Sequence, residues 1–560
     1  MAMTWDEACA AVTGPGSPLE LIDDGKGGQR FKTTPPNLRA IFDMAREGGD
    51  ATFLVYENER WSFADVMAAA DALGHSLVNT YGVKLGDRVA IGMRNYPEWV
   101  VSMVAIVSVG GVSVSLNALW TEDELDYALE DSGATLLIAD VDRIHRSQKA
   151  CRRLGTRMLV VRSDEHLAAD VDQWNAVVRL GSAMPDVPVG WDDDATILYT
   201  SGTTGHPKGA VSTNGAVVSS LMAFGGRAAA DAMRAAANRP ADAPPPEPPP
   251  PPVLILIVPL FHVTGCVAVM LGCFVSKAKL VMMYRWDVER ALELIEREQV
   301  THFVGVPTQS WDLVNSARFA EFDTSSLRNV GGGGAPAPPA LVDKVAGSIK
   351  KGGPIIGYGM TETNAFGPGN SGDDYLTHPS STGRSFPALR IEIRDPDGNA
   401  VPTGTRGEIW FNGPMLIRGY WNKPGATAET IVDGWLRSGD VGRHDDEGFL
   451  YIEDRLKDMI LRGGENIYCA EVEAAIYDHP AIHEAAVFGL PHERLGEEVA
   501  VAVHLRHDHT LTTAELRAYL TPKIAGFKIP SRMMIAHDPL PRNPAGKFLK
   551  RDLRDIFIDS

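Results

Sequence analysis

Between about residue 50 and residue 430, short apolar runs alternate with stretches of helical spacing. The runs RVAIGM (88–93), TLLIAD (135–140), RMLVV (157–161), VLILIV (253–258), KLVMM (279–283) and HFVGV (302–306) stand beside helical segments such as VERALELIEREQ (288–299). This alternation predicts an α/β architecture with largely parallel sheets. Beyond residue 400 the texture shifts to shorter strands and turns, GEIWFNGP and GFLYIEDR among them, as in a small β-rich subdomain. The last stretch, with AEVEAAIYDHP, IHEAAVFGLPHERLGEEVAVAVHLR and TTAELRAYLTPKI, reads as a separate α+β module of about a hundred residues. The expected division is a large N-terminal domain over 1–455, with two α/β sheet subdomains and the β-rich one, and a small C-terminal domain over 456–560.

At 560 residues more than one domain is expected, and 44% hydrophobic content allows a large core. A net charge of -19 argues against a nucleic-acid surface, which needs basic patches. The five cysteines are scattered and form no C-x-x-C pair, so neither a disulfide framework nor a zinc site is expected. The start, MAMTWDEACAAV, lacks a basic, apolar leader, and the expected compartment is the cytoplasm. The stretch 253–275 is long enough to resemble a membrane span, but Pro259, His262 and Thr264 interrupt it. A buried strand, a turn at PLFH and a buried helix is the better parse. Just before it, Asn238 to Pro252 is proline-rich, a surface excursion or a docking segment for an aromatic groove.

The stretch YTSGTTGHPKGAV, Tyr199 to Val211, holds too little apolar surface to be core. DDDATILYT before it reads as a strand, and GAVSTNGAVVSSLMAF after it has helical spacing. Strand, glycine-rich loop and helix is a setting in which backbone N–H groups face an anion. The order is not Walker A, because Gly209 follows Lys208. A phosphate loop of another kind and a Thr/Gly-rich surface turn both fit.

Six further stretches carry functional side chains. VPLFHVTG places His262 beside Phe261 next to a buried strand. GGGGAPAPP, Gly331 to Pro339, lets backbone approach a flat ligand. GYGMTET, Gly357 to Thr363, offers an aromatic face at Tyr358, a hydroxyl at Thr361 and a carboxylate at Glu362 suited to a hard cation. WLRSGD ends in Asp440, fit to take the two hydroxyls of a ribose. DRLKDMILRGGENI, 454–467, falls at the expected domain junction, and PRNPAGKFLKR holds Lys547 in a turn. Each has an ordinary reading by itself: a structural histidine, a glycine turn, an aspartate turn, a solvated lysine.

Taken together and in this order, these stretches resemble the adenylate-forming superfamily of acyl-CoA synthetases, nonribosomal-peptide adenylation domains and beetle luciferases, and most of all its fatty-acyl and aryl-CoA ligase branch. The resemblance runs from about Thr33 to Arg551. It implies that Thr200, Ser201, Gly202, Thr203, Thr204 and Lys208 wrap the β- and γ-phosphates of ATP. Gly334, Ala335 and Pro336 with Gly357, Tyr358, Gly359 and Met360 would form the adenine slot. Thr361 would meet the α-phosphate, Glu362 the Mg²⁺, and Asp440 with Arg455 the ribose. Lys547 would act in adenylation, His262 would line the acyl pocket, Lys457 would be the hinge of a mobile small domain, and Arg462, Gly463 and Gly464 would border the CoA channel. The implied substrates are a fatty acid or related carboxylic acid, ATP and CoA. A homodimer is expected, and peripheral membrane contact stays open. An acyl-AMP ligase serving a carrier protein, or a ligase for aryl or sterol-derived acids, are the alternatives. The proline-rich 238–252 segment departs from the family's usual pattern and adjoins the expected acyl tunnel.

Overall fold

The structure is a computed structural model that describes residues 2–25, 27–165, 167–200, 206–240, 251–335, 337–456, 458–462, 465–507, 509–536, 538–542 and 548–559. The apolar runs become the strands of two eight-stranded sheets among these residues. In the first, Asp194–Thr200, Val112–Ser115, Arg88–Gly92, Leu136–Asp140, Arg157–Val161 and Val171–Gln173 run parallel, while Lys208–Thr213 and Gly419–Tyr420 extend one edge antiparallel. In the second, Gly353–Gly357, Asn329–Gly333, His302–Gly305, Val253–Leu256, Lys279–Met282 and Thr52–Tyr56 are parallel, closed at the two ends by antiparallel Gly369–Ser371 and Glu59–Ser62. Strands of this kind read as unbroken apolar runs because helices cover both faces.

Helix Pro97–Ser108 has every residue buried. Its side chains join Val89 and Ile91 of the first sheet and Phe53 and Val55 of the second in one continuous buried cluster, so the helical layer between the sheets is shared core. Phe53 stacks on Phe63 with ring centroids 4.3 Å apart. Each such fully buried ring contributes about 2 kcal/mol of burial free energy.

A third, antiparallel sheet follows: Arg390–Arg394, Gly407–Asn412 and Trp435–His444, with Ile431–Val432 and Leu450–Arg455 both paired to Trp435–His444. The N-terminal helix Trp5–Thr13, started by a Thr4/Glu7 capping box, packs into this sheet's core, and Trp5 Nε1 donates to the Ser385 carbonyl at 3.1 Å. The small C-terminal domain has its own sheet of Glu465–Ile467, Ile460–Arg462, Gly496–Leu505, Ile482–His492 and Arg532–Ala536, packed with helices Cys469–Tyr477 and Thr513–Leu520 around a separate core. The chain is thus mixed α/β, a large N-terminal domain followed by a small one.

Two expectations need correction. The segment after the glycine-rich loop is not helical at once: Lys208–Thr213 is a strand, paired antiparallel with Asp194–Thr200, and helix Asn214–Ala237 starts only after it. Val211 is buried by that pairing, and Thr213 ends the strand by accepting the Ala216 N–H as the helix N-cap. Lys208 is therefore paired with Thr200 across an antiparallel pair of strands and does not open a helix. In 253–275 the strand and turn stand as read, but the buried helix is a π-helix, Thr264–Leu271, before it becomes regular over Gly272–Ser276. Among the described residues no helix is long and apolar enough to cross a membrane. All five cysteines are buried and unbridged.

Candidate functional site

Parallel strands present their carboxyl ends along one edge, where ligands of α/β folds bind. In the second sheet three neighbouring strands end there in glycine, Gly305, Gly333 and Gly357. A Cβ on Gly331 would lie 1.9 Å from the Ile355 carbonyl oxygen, and one on Gly332 2.0 Å from that of Gly305, so glycine alone lets these strands approach. Gly333 and Gly357 are register partners, which sets Gly334 and Ala335 beside Tyr358 where both strands leave the sheet.

The Tyr358 phenol donates a 2.5 Å hydrogen bond to Asp440 Oδ2. Burial first, then the Asp440 charge, pushes this phenol well above the usual tyrosine range, so it stays a neutral donor. Asp440 lies on Trp435–His444 opposite Arg455, whose Nε is 3.4 Å from Oδ1, and its N–H donates to Ser438 Oγ at 3.0 Å. The buried carboxylate is therefore held at both oxygens, by Tyr358 at one and Arg455 at the other.

After Tyr358 the chain turns sharply. Gly359 has no room for a Cβ, which would stand 2.1 Å from the Ala365 carbonyl oxygen. Met360 donates its N–H to Thr363 Oγ1 at 3.2 Å, and Thr361–Thr363 forms one 3₁₀ turn. Asn364 and Ala365 then both take positive φ, 51° and 66°. Such backbone persists only when its surroundings overdetermine it. Here Ser212 Oγ donates to Asn364 Oδ1 at 2.9 Å, Asn364 Nδ2 donates to the Met415 carbonyl at 2.8 Å, and Ser220 Oγ donates to the Asn364 carbonyl at 2.7 Å. The strained turn drives Glu362 inward, to 6% exposure, where Tyr420 donates its hydroxyl to Oε1 at 2.6 Å.

The antiparallel pair of Asp194–Thr200 and Lys208–Thr213 supplies the cation. Thr200 and Lys208 are register partners at its end, with Thr200 Oγ1 donating to the Lys208 carbonyl at 3.3 Å. Tyr127 clamps the stem by stacking on His206, centroids 4.3 Å apart, and donating to the Pro207 carbonyl at 3.3 Å. Lys208 Nζ stands 5.0 Å from the Tyr420 ring. Tyr420, which the motif reading passes over, thus meets both Lys208 and Glu362. Its place is set by strand pairing between residues two hundred apart, which no local pattern encodes.

His262 sits in the turn before the π-helix; its N–H donates to the Pro259 carbonyl at 3.1 Å and its ring lies 4.8 Å from that of Phe261. Arg462 is on the small domain, opposite Gly496, and is not among the residues gathered with Tyr358, Asp440 and Glu362. Ser201, Gly202, Thr203, Thr204, Pro336, Lys457, Gly463, Gly464 and Lys547 lie outside the described residues. Among the described residues no group of three or more His, Cys, Asp or Glu converges on one point. Glu362 with the neighbouring Thr361 hydroxyl is a hard-oxygen set, which suits Mg²⁺ held by one protein carboxylate and the phosphates of a nucleotide.

A small apolar cavity of about 20 Å³, room for about one water, lies between the second sheet and helices Pro307–Asn315 and Pro339–Ser348. Val330, Leu341, Val342, Val345 and Ile355 line it.

The geometry gathers a glycine-ended sheet edge, an aromatic ring and a fixed carboxylate, and comparison with known proteins gives the family. Residues 41–421 match the model of the AMP-binding enzymes, and residues 471–547 match that of the AMP-binding enzyme C-terminal domain. The chain belongs to the AMP-binding enzyme family, and so to the adenylate-forming superfamily. It is 34% identical over 525 residues to a feruloyl-CoA synthase of Amycolatopsis sp, covering 92% of this chain and 97% of the relative. It is 33% identical to a long-chain-fatty-acid–CoA ligase of Mycobacterium tuberculosis, over 89% of this chain and 93% of that one. Among solved structures, ATP-bound MatB from Rhodopseudomonas palustris superimposes with a TM-score of 0.80 at 28% identity, covering 93% of this chain and 99% of MatB.

Proposed function

We propose that the chain is an ATP-dependent carboxylate–CoA ligase acting on an apolar acid, a medium- or long-chain fatty acid in the first instance. The observation that carries this reading is the Tyr358–Asp440 pair beside the glycine-ended edge at Gly333 and Gly334, a slot for a flat base with a fixed carboxylate for its ribose. The coverage of relatives named as CoA ligases supports the second substrate, and the similarity to a long-chain-fatty-acid–CoA ligase supports an alkyl chain. An aryl acid is the second reading, favoured by the similarity to a feruloyl-CoA synthase.

In the first half-reaction a carboxylate oxygen of the acid attacks the α-phosphorus of ATP. The new oxygen–phosphorus bond forms as the bond to the β-phosphate bridging oxygen breaks, giving acyl-AMP and pyrophosphate. Two anions must meet, so positive charge and aligned donors at the contact lower the barrier most. Lys208 and the glycine-rich loop with Ser201, Gly202, Thr203 and Thr204 take the β- and γ-phosphates. Thr361 meets the α-phosphate, and Lys547 bridges it to the acid. Glu362 would hold Mg²⁺, which supplies charge neutralisation on the phosphates. Tyr358, Asp440 and Arg455 hold the nucleoside, with Gly334, Ala335 and Pro336 against the base. In the second half-reaction the CoA thiolate attacks the acyl carbonyl and AMP leaves. We take the small domain to start at 456 and to swing at Lys457, bringing Arg462, Gly463 and Gly464 to the carbonyl; the strand that ends at Arg455 and the new sheet that begins at Ile460 support that boundary. His262 would line the acid's entrance. We further infer that the enzyme acts in the cytoplasm, as a homodimer, with a membrane as one source of its acid.

Pyrophosphate release should be measured over acids of graded chain length, with aryl and sterol-derived acids included, with and without CoA. Turnover that requires acid, ATP and CoA together is expected. Pyrophosphate with retained acyl-AMP and no CoA turnover would replace CoA by a carrier protein as the acceptor.

A further inference from the structure

The strand Gly419–Tyr420 is only two residues long, yet it closes the edge of the first sheet. It pairs antiparallel with Lys208–Thr213, Tyr420 opposite Ala210 and Gly419 opposite Val211. Across such a pair, side chains two residues off the direct partner share a face, and long or aromatic ones meet. Lys208 is two residues from Ala210, and this register sets its ammonium against the Tyr420 ring, 5.0 Å from the centroid. The hydroxyl at the ring's tip is 2.6 Å from Glu362 Oε1. The short strand is pinned along its length: the Tyr420 N–H donates to Thr427 Oγ1 at 2.9 Å, the Trp421 N–H to the Gly209 carbonyl at 2.7 Å, and Trp421 Nε1 to the Asp131 carbonyl at 3.1 Å.

We propose that Tyr420 is a positioning residue of the adenylating site: its hydroxyl fixes one oxygen of Glu362 and leaves the other for the magnesium ion, while its ring holds Lys208 toward the triphosphate. The inference rests on the reading of Glu362 and Lys208 given above. A phenol suits the task because it is a neutral donor. It orients a carboxylate without bringing a positive charge to compete with the cation, as a lysine would. A hydrogen bond to a charged carboxylate is among the stronger kinds, and one bonded oxygen removes the rotational freedom that an unattached carboxylate would lose on binding metal.

The test is equilibrium binding of ATP to the full chain, by calorimetry, over a series of Mg²⁺ concentrations and in EDTA, for the wild type and for Tyr420→Phe, Tyr420→Leu and Glu362→Gln. Tyr420→Phe keeps the ring and should raise the Mg²⁺ needed for half-maximal enhancement of ATP binding about tenfold, with ATP affinity in EDTA unchanged. Tyr420→Leu should also weaken binding in EDTA, since Lys208 loses its ring. Glu362→Gln should abolish the Mg²⁺ dependence. A Tyr420→Phe protein with wild-type Mg²⁺ dependence, while Glu362→Gln has lost it, overturns the role of Tyr420 and leaves the reading of Glu362 standing. Wild-type Mg²⁺ dependence in Glu362→Gln overturns that reading, and the inference with it. If Tyr420→Leu does not fold, the phenylalanine variant alone decides.

Discussion

The hydroxyl of Tyr358 ends on Asp440 Oδ2, 2.5 Å away, across two sheets of the large domain. The same side chain thus offers a ring face to a base and a hydrogen bond that aims the carboxylate at a ribose. Tyr358→Phe keeps the first and removes the second. A hydrogen bond to a charged group is worth about 1.5–3 kcal/mol, so ATP binding should weaken by about ten- to 150-fold. The sharper readout is preference for ATP over 2′-deoxy-ATP, which depends on an aimed carboxylate and should shrink in the variant. Unchanged preference would mean that Asp440 does not hold the ribose.

Gly265 lies in the first turn of the π-helix near His262, and a Cβ there would stand 2.3 Å from the Pro259 carbonyl oxygen. That carbonyl accepts the His262 N–H, so the clash cannot be relieved without moving the turn that carries His262. Overpacking of this kind costs about 1–3 kcal/mol. Gly265→Ala should lower Tm by a few degrees and raise KM for the acid severalfold while leaving KM for ATP near its wild-type value. Equal rises in both would place the turn outside the acid's path.

The parts of this molecule legible in its sequence are those whose chemistry is local. The run VLILIV can only be buried on both faces, and GYGMTET and WLRSGD carry their aromatic, hydroxyl and carboxylate groups within a few residues. What depends on partners distant in sequence was not legible. Residues 208–213 have a spacing that fits a helix, and only pairing with 194–200 makes them a strand. Tyr420 becomes a site residue only through its register with Ala210. The π-helix at Thr264–Leu271 closes its hydrogen bonds one residue further along than the α-helix whose period a sequence reading assumes. The helix Trp5–Thr13 is a different case: its Thr4/Glu7 capping box is local and legible in TWDEACAAV.

The guanidinium of Arg506, on the small domain, lies 4.9 Å from the centroid of Trp311 on helix Pro307–Asn315 of the large one. If the small domain swings between half-reactions, this contact belongs to one of its two positions. A cation–π contact at such a site is worth about 0.5–1 kcal/mol, enough to shift a two-state balance about two- to fivefold. Arg506→Ala should slow acid-dependent pyrophosphate exchange by that factor and leave thiolysis of supplied acyl-AMP unimpaired. Lys547→Ala should do the same far more strongly, and Lys457→Pro should block thiolysis instead. Loss of the same half-reaction in both lysine variants would rule out the two-position scheme.

Asp454 ends the large domain's last sheet and holds the small domain's first helix: its Oδ2 accepts the Cys469 N–H and its Oδ1 the Arg455 N–H at 2.8 Å. Burial pushes its carboxyl up to about 6, although both backbone donors and nearby Lys550 pull the other way. An unfolded aspartate titrates near 4, so between about pH 4 and 6 the native state binds more protons than the unfolded one. Stability from this group therefore falls as pH rises through that window, and the loss is complete above it. Asp454→Asn removes the charge but keeps only one oxygen, so one of the two N–H bonds is given up and its stability at any single pH is no guide. The difference in Tm between variant and wild type is the guide: it should move in the variant's favour by a few degrees from pH 4 to pH 7 and then level off. A difference that stays constant across that range would mean that the carboxyl titrates in the folded protein as it does in the unfolded chain.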